Sequence, residues 1–152
     1  MTSIKREDPT FPEFVIGVEP PANRTEKALW FIFRDREILL KLNKNPGAIP
    51  RLIDLGELGL SGIREQYLGA LGGTHCYSVE LPKNAQPPEG MEFMDLRQAY
   101  TEIGEKCFAL VNKAVQIMEW DRTSQFCSRC GAKTLQKPGE RGKECPDCGE
   151  LF

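Results

Sequence analysis

"FCSRCGAKTLQKPGERGKECPDCGELF", residues 126–152, holds two Cys-x-x-Cys-Gly units, Cys127–Gly131 and Cys145–Gly149. Two residues between paired cysteines let a tight turn bring both sulfurs to one edge of a tetrahedron, and a second pair completes it. The glycine after each pair can take a positive φ, which turns the chain away from the sulfurs and lets backbone N–H groups point at the thiolates. Fourteen residues separate Cys130 from Cys145, slightly fewer than is usual for this module. The run Lys-Pro-Gly-Glu-Arg-Gly (137–142) absorbs the difference as a tight turn between two short strands. The pattern predicts a zinc ribbon with Cys127, Cys130, Cys145 and Cys148 as ligands. Four thiolates leave no open position for water or substrate, so this zinc is expected to be structural rather than catalytic.

The other two cysteines, Cys76 and Cys107, stand alone in apolar surroundings and read as buried small hydrophobes. Paired Cys-x-x-Cys units point to metal in a reducing compartment, and two matched pairs argue against a redox motif. The first ten residues, "MTSIKREDPT", are polar and charged, with no apolar core of a secretory signal. A cytoplasmic protein with no membrane partner is the expectation.

Upstream of the ribbon the signals change from cysteine spacing to apolar periodicity. Residues 1–10 read as a loose tail, "FPEFVIGV" (11–18) as a strand, and "PPANRTEK" (20–27) as a polar loop. "ALWFIFRDREILLKL" (28–42) places two apolar runs around Arg34–Asp35–Arg36, a hairpin with strands near 28–34 and 37–42. "RLIDL" (51–55) reads as a short strand. "REQYLGAL" and "HCYSVEL" flank Gly72–Gly73–Thr74 as a second hairpin. "PKNAQPPEG" (82–90) reads as a surface connection.

One long helix follows. Asp95 is its cap, and Leu96, Tyr100, Ile103, Cys107, Leu110, Ala114 and Met118 fall at three- and four-residue steps on one face. Arg97, Glu102, Glu105, Lys113 and Gln116 take the other. The helix is expected to end between Met118 and Arg122. The chain therefore divides into a tail (1–10), an α+β domain of antiparallel strands and hairpins with one long helix (11–120), and a four-cysteine zinc ribbon (121–152).

Charge points to no polyanionic partner. Residues 1–119 carry 14 Lys and Arg against 17 Asp and Glu, and residues 120–152 carry 6 against 5, or −3 and +1. Neither part is a basic patch, and no aromatic lies between Cys127 and Cys148 to stack a base. His75 is the only histidine. Beside it Cys76 is a poor nucleophile partner, since adjacent strand residues point to opposite faces. No catalytic constellation is legible.

The segment "ALVNKAVQIMEWDRTSQFCSRCGAKT" (109–134) combines an Ala-bearing helix, Trp120, a polar spacer and Phe-Cys-x-x-Cys-Gly, followed later by Cys-Pro-x-Cys-Gly. With "MDLRQAY" (94–100) it resembles the entry to the zinc ribbon of NADH pyrophosphatases, members of the Nudix hydrolase superfamily. The likeness covers roughly residues 95–152. It implies a catalytic Nudix domain after the ribbon, where glutamates would hold Mg²⁺ or Mn²⁺ on a diphosphate. That box is absent here: there is no Glu-Glu pair, and neither Arg36–Glu37 nor Arg64–Glu65 has the flanking pattern. No catalytic or cofactor-binding residue is carried over. The resemblance implies the front portion of a longer NAD(H) diphosphatase, whose whole would cleave NADH, and also NAD-capped RNA ends. The portion's expected role is a scaffold for its own catalytic domain and for a homodimer. The alternative is a stand-alone zinc-ribbon adaptor for nucleic acid or protein, with Arg122, Arg129, Lys133, Lys137, Arg141 and Lys143 as its best support.

Overall fold

A computed structural model describes residues 12–44 and 47–152; the expected tail at 1–10 lies outside them. Strand β2 (Ala28–Arg34) has almost every side chain buried, which a strand achieves only when both faces of its sheet are covered. The cover differs on the two sides. Leu29, Phe31 and Phe33 point with Ile38, Leu40, Leu68 and Cys76 toward helices, in one apolar cluster. Ala28, Trp30 and Ile32 point the other way, into a second cluster with Leu39, Leu52, Leu55, Tyr77 and Val79. The two-residue period of the strands thus builds two cores on one sheet.

The sheet has seven strands. Besides β2 they are β1 (Phe14–Ile16), β3 (Glu37–Lys41), β4 (Arg51–Leu52), β5 (Arg64–Leu71), β6 (Thr74–Glu80) and β7 (Met91–Asp95). The order is β1-β5-β6-β2-β3-β7, with β4 added to β2. Both expected hairpins form: β2 pairs antiparallel with β3 across Asp35–Arg36, and β5 with β6 across Gly72–Gly73. What joins them is a parallel pairing of β2 with β6, from Leu29–Cys76 to Phe33–Glu80. Expecting antiparallel strands alone missed this. Two local hairpins can meet edge to edge in either sense, and the apolar runs of both central strands fit a parallel pair.

"RLIDL" is a strand only over its first two residues; Asp54 then caps a 3-10 turn (Leu55–Leu58), its side chain accepting from Gly56 N–H at 2.8 Å. This turn roofs the face away from the helices, where the Trp30 indole N–H donates to the Leu52 carbonyl at 3.0 Å.

The single long helix is two. Asp95 does cap the first, α1 (Leu96–Ile103), accepting from Arg97 N–H at 2.9 Å. The second, α2 (Glu105–Thr123), runs one residue past the expected end. Between them Gly104 has φ +82° and ψ 163°, a conformation closed to ordinary L-residues, so the helix breaks there. The break changes the buried stripe. Leu110, Val111, Ala114 and Met118 of α2 face the sheet, and Ala99 is the buried residue of α1. Tyr100 is 46% exposed, its ring edge-on to Phe108 at 5.1 Å. The broken register moves Tyr100 off the core face that an unbroken helix would have given it.

Candidate metal centre

Helix α2 delivers the chain at Ser124 into a ribbon whose hairpin is β8 (Leu135–Gln136) and β9 (Lys143–Glu144). The two cysteine turns are near copies of one another. In the first, Gly131 N–H donates to the Cys127 carbonyl at 2.8 Å and Cys127 N–H to the Ala132 carbonyl at 2.7 Å. In the second, Gly149 N–H donates to Cys145 at 3.0 Å and Cys145 N–H to Glu150 at 2.9 Å. Gly131 and Gly149 have φ of +80° and +76°, so the positive φ expected after each pair is present.

The four sulfurs lie within 4.8 Å of one another. Cys127 Sγ is 3.5 Å from Cys148 Sγ, and Cys130 Sγ 3.4 Å from Cys145 Sγ. A tetrahedron with Zn–S bonds of about 2.3 Å has edges of about 3.8 Å. The donor set therefore fits zinc in chemistry, number and spacing. Cys127 and Cys145 are buried on the ribbon's inner side, while Cys130 and Cys148 are exposed. Backbone N–H groups reach the inner sulfurs, from Arg129 to Cys127 at 3.4 Å and from Cys148 to Cys145 at 3.5 Å.

The thiols are inequivalent. Burial opposes ionisation of Cys127, but N–H groups of Cys130 and Arg129 and the neighbouring thiols outweigh it and bring its pKa to about 7. At Cys130 the backbone N–H of Ala132 favours the thiolate, but the Cys145 thiol, burial and Cys127 prevail, pushing it up to about 12. Four thiols this close cannot all ionise unless a cation balances them. Among the described residues these cysteines form the one group of three or more Cys, His, Asp or Glu able to share a metal ion.

The remaining sequence candidates lie elsewhere. Cys76 sits in the helix-side cluster and Cys107 packs against it. Burial raises both thiols, Cys76 to about 11. His75 is half-buried and its Nδ1 is 2.7 Å from the Tyr67 hydroxyl. It lines a cavity of about 220 Å³ with Asn23, Arg24, Glu26, Ile53 and Tyr77. The Arg24 guanidinium lies 4.6 Å from the Tyr77 ring there. Glu102 pairs with Lys44.

Sequence reasoning missed the joint between ribbon and sheet. Asp121 is buried, and Lys143 Nζ donates to its Oδ1 at 2.6 Å. Gln66 of β5 donates to Asp121 Oδ2 at 3.0 Å and accepts from Arg141 at 3.1 Å. A signal existed for Asp121: it continues the stripe Leu110, Ala114, Met118 by one further three-residue step, an acid where the core face should be apolar.

Comparison with known sequences agrees with this architecture. Residues 27–120 match the NADH pyrophosphatase-like rudimentary NUDIX domain, and residues 122–152 the NADH pyrophosphatase zinc ribbon domain. The chain belongs to the NADH pyrophosphatase-like Nudix family. Its relatives in this family include proteins named NAD-capped RNA hydrolase NudC. That of Deinococcus radiodurans is 32% identical over 141 residues, covering 90% of this chain and 45% of the relative. That of Pseudomonas fluorescens is 33% identical over 86 residues, 57% of this chain and 31% of the relative. That of Chromobacterium violaceum is 21% identical over 139 residues, 91% and 49%. The chain thus spans less than half the length of these relatives.

Proposed function

We propose that this chain is the non-catalytic front portion of a Nudix-family NAD(H) diphosphatase, acting as scaffold for a catalytic domain. The observation that carries the reading is the consecutive match of both family domains, over less than half the length of relatives named NAD-capped RNA hydrolases. Residues up to 120 would buttress the catalytic domain, and 121–152 would form the ribbon that links to it. Zinc held by Cys127, Cys130, Cys145 and Cys148 would be structural, since four thiolates close its shell and neutralise its charge. Mg²⁺ or Mn²⁺ would belong to the catalytic domain, where NADH, or an NAD-capped RNA end, would be cleaved at its diphosphate. Exposed Phe126, Leu135 and Leu151 on the ribbon support the scaffold role, as apolar surface for the catalytic domain or for the second copy of a homodimer. We place the protein in the cytoplasm, where a four-thiol site stays reduced. Among the described residues no helix is long and apolar enough to cross a membrane.

The adaptor reading draws less support from the ribbon's cations than their number suggests. Arg122 pairs with Glu119, Arg129 with Glu150 and Lys137 with Glu140. Arg141 and Lys143 are turned into the joint. Few clustered cations remain to release counterions from a nucleic acid.

The test is turnover. The isolated chain with Mg²⁺ or Mn²⁺ should release no AMP from NADH, and the same chain joined to the segment that follows it in its gene should do so. A Cys127→Ser version of the isolated chain exposes contaminating hydrolase. AMP release by the isolated chain that is lost in that variant overturns the proposal.

A further inference from the structure

Six polar or charged residues are buried among the described residues: Gln66, Ser78, Asp121, Ser124, Thr134 and Lys143. All but Ser78 meet where the ribbon abuts the end of α2 and strand β5. Thr134 donates its hydroxyl to the Ser124 carbonyl. Lys143 Nζ donates to the carboxylate of Asp121 at 2.6 Å and to its carbonyl at 2.8 Å, and lies 5.1 Å from the Trp120 ring. The other Asp121 oxygen accepts from Gln66, which also donates to Gln136 of β8 at 3.1 Å. From the hairpin turn, Arg141 donates to Gln66 Oε1 and to the carbonyls of Tyr67 at 2.7 Å and Gly17 at 3.1 Å. One chain of hydrogen bonds thus runs from the ribbon hairpin to the β1–β5 edge of the sheet.

The donors of this chain depend on a closed ribbon. Lys143 is two residues before Cys145 and is held by Phe152 through paired backbone bonds of 3.0 and 2.9 Å. Little apolar surface holds that hairpin shut, so closure is expected to need the metal. When it opens, Lys143 and Arg141 leave: Asp121 keeps Gln66 and Gln125 but loses the ammonium that balances its charge, and Gln66 Oε1 loses its guanidinium donor. Breaking one side of a buried ion pair is strongly unfavourable, far more so than the intact pair is favourable.

We infer that the joint is a metal-dependent latch: metal occupancy of the ribbon sets the order of the β1–β5 sheet edge and the last turn of α2. This rests on the zinc reading above. Linkage makes the effect reciprocal, because whatever the metal does to the joint, the joint does to metal affinity. Gln66, on the sheet and outside the ribbon, should therefore influence zinc binding. Leucine at this position leaves Asp121 Oδ2 unpaired when the ribbon closes, and water satisfies that oxygen when it opens.

The experiment uses the full chain with zinc, in competition with a chromophoric chelator. Gln66→Leu and Lys143→Met should each weaken zinc binding about fivefold or more, within the usual range of intersite coupling. Ile38→Val, buried in β3 away from the joint, should leave it unchanged. The unsubstituted chain gives a second reading that needs no variant. Removing zinc should speed amide exchange at residues 67–70 and 120–121 well beyond any change at 38–40. Zinc bound stoichiometrically, with unaltered affinity in folded Gln66→Leu or with exchange at 67–70 indifferent to zinc, overturns the latch alone. Less than half an equivalent of zinc in reduced, unchelated protein overturns the zinc reading and the latch together.

Discussion

The sheet-and-helix region and the ribbon reach order by opposite means. The first buries Trp30, Phe31, Phe33, Tyr77 and their neighbours almost completely, on both faces of one sheet. The second buries two cysteines and a few polar side chains, Thr134 and Lys143 among them, and leaves Phe126, Leu135 and Leu151 each about 60% exposed. Apolar burial scales with area, and a unit of about thirty residues has too little of it to offset the entropy of ordering its chain. A metal with four thiolates can supply that difference in one step. The comparison teaches that the two regions answer to different perturbations, with the polar joint as the place where they meet.

The hardest test of the contrast is chelation. Removing metal from the purified chain should erase ordered NMR signals from about 125–152, while the α1–α2 region at 96–118 keeps its exchange protection. Loss of the whole fold in a single step would mean that the apolar region does not stand alone. The same preparation should hold one zinc per chain, lost in step with those signals.

Next in size is the core. Trp30→Ala removes a fully buried ring, stacked on Tyr77 at 4.8 Å, and a hydrogen bond to Leu52. It should cost about 3–5 kcal/mol in urea unfolding. Leu151→Ala on the ribbon, already exposed, should stay within about 0.5 kcal/mol. Equal costs at the two sites would dissolve the distinction.

A smaller effect sharpens the reading of the helix break. Gly104→Ala places a Cβ on a residue with φ +82° and should destabilise by about 1 kcal/mol, read from the urea midpoint. A gain in stability would show that the break relaxes at little cost and that one continuous helix is accessible.

The smallest concerns the lone thiols. Burial holds Cys76 neutral in the fold up to a pKa of about 11, whereas an unfolded cysteine ionises near 8.5. The contribution of this group to stability is full below the unfolded value and is lost as pH rises from there toward about 11. At pH 8 its native thiol should react with a disulfide reagent far more slowly than in denaturant. Fast native labelling of Cys76 would contradict its place in the core.

Reading along the chain succeeded wherever the cause was local. Spacing and glycine placement found the ribbon, because two residues between cysteines constrain geometry by themselves. Apolar runs around Arg34–Asp35–Arg36 and Gly72–Gly73 found both hairpins, and Asp95 marked the start of the helical region. Gly104 lies within that region, but a single glycine in an otherwise periodic stretch costs only about 1 kcal/mol in a continuous helix. Its meaning depends on how α1 and α2 each pack, and the periodicity of 96–118 could not reveal it.

Sequence by itself determined the cysteine cluster, the two hairpins, the cap at Asp95 and the α+β class. Each follows from residues within a turn or two of one another, or from a spacing that chemistry recognises. Tertiary structure alone decided the parallel meeting of β2 and β6, the broken helix and the joint. Arg141 and Gln66 are 75 residues apart, and a hydrogen bond between them leaves no mark on either segment. Its existence depends on the sheet, the helix and the cysteine-bearing hairpin each being formed and brought together, so that exclusion of water from their contact makes pairing of its polar groups obligatory.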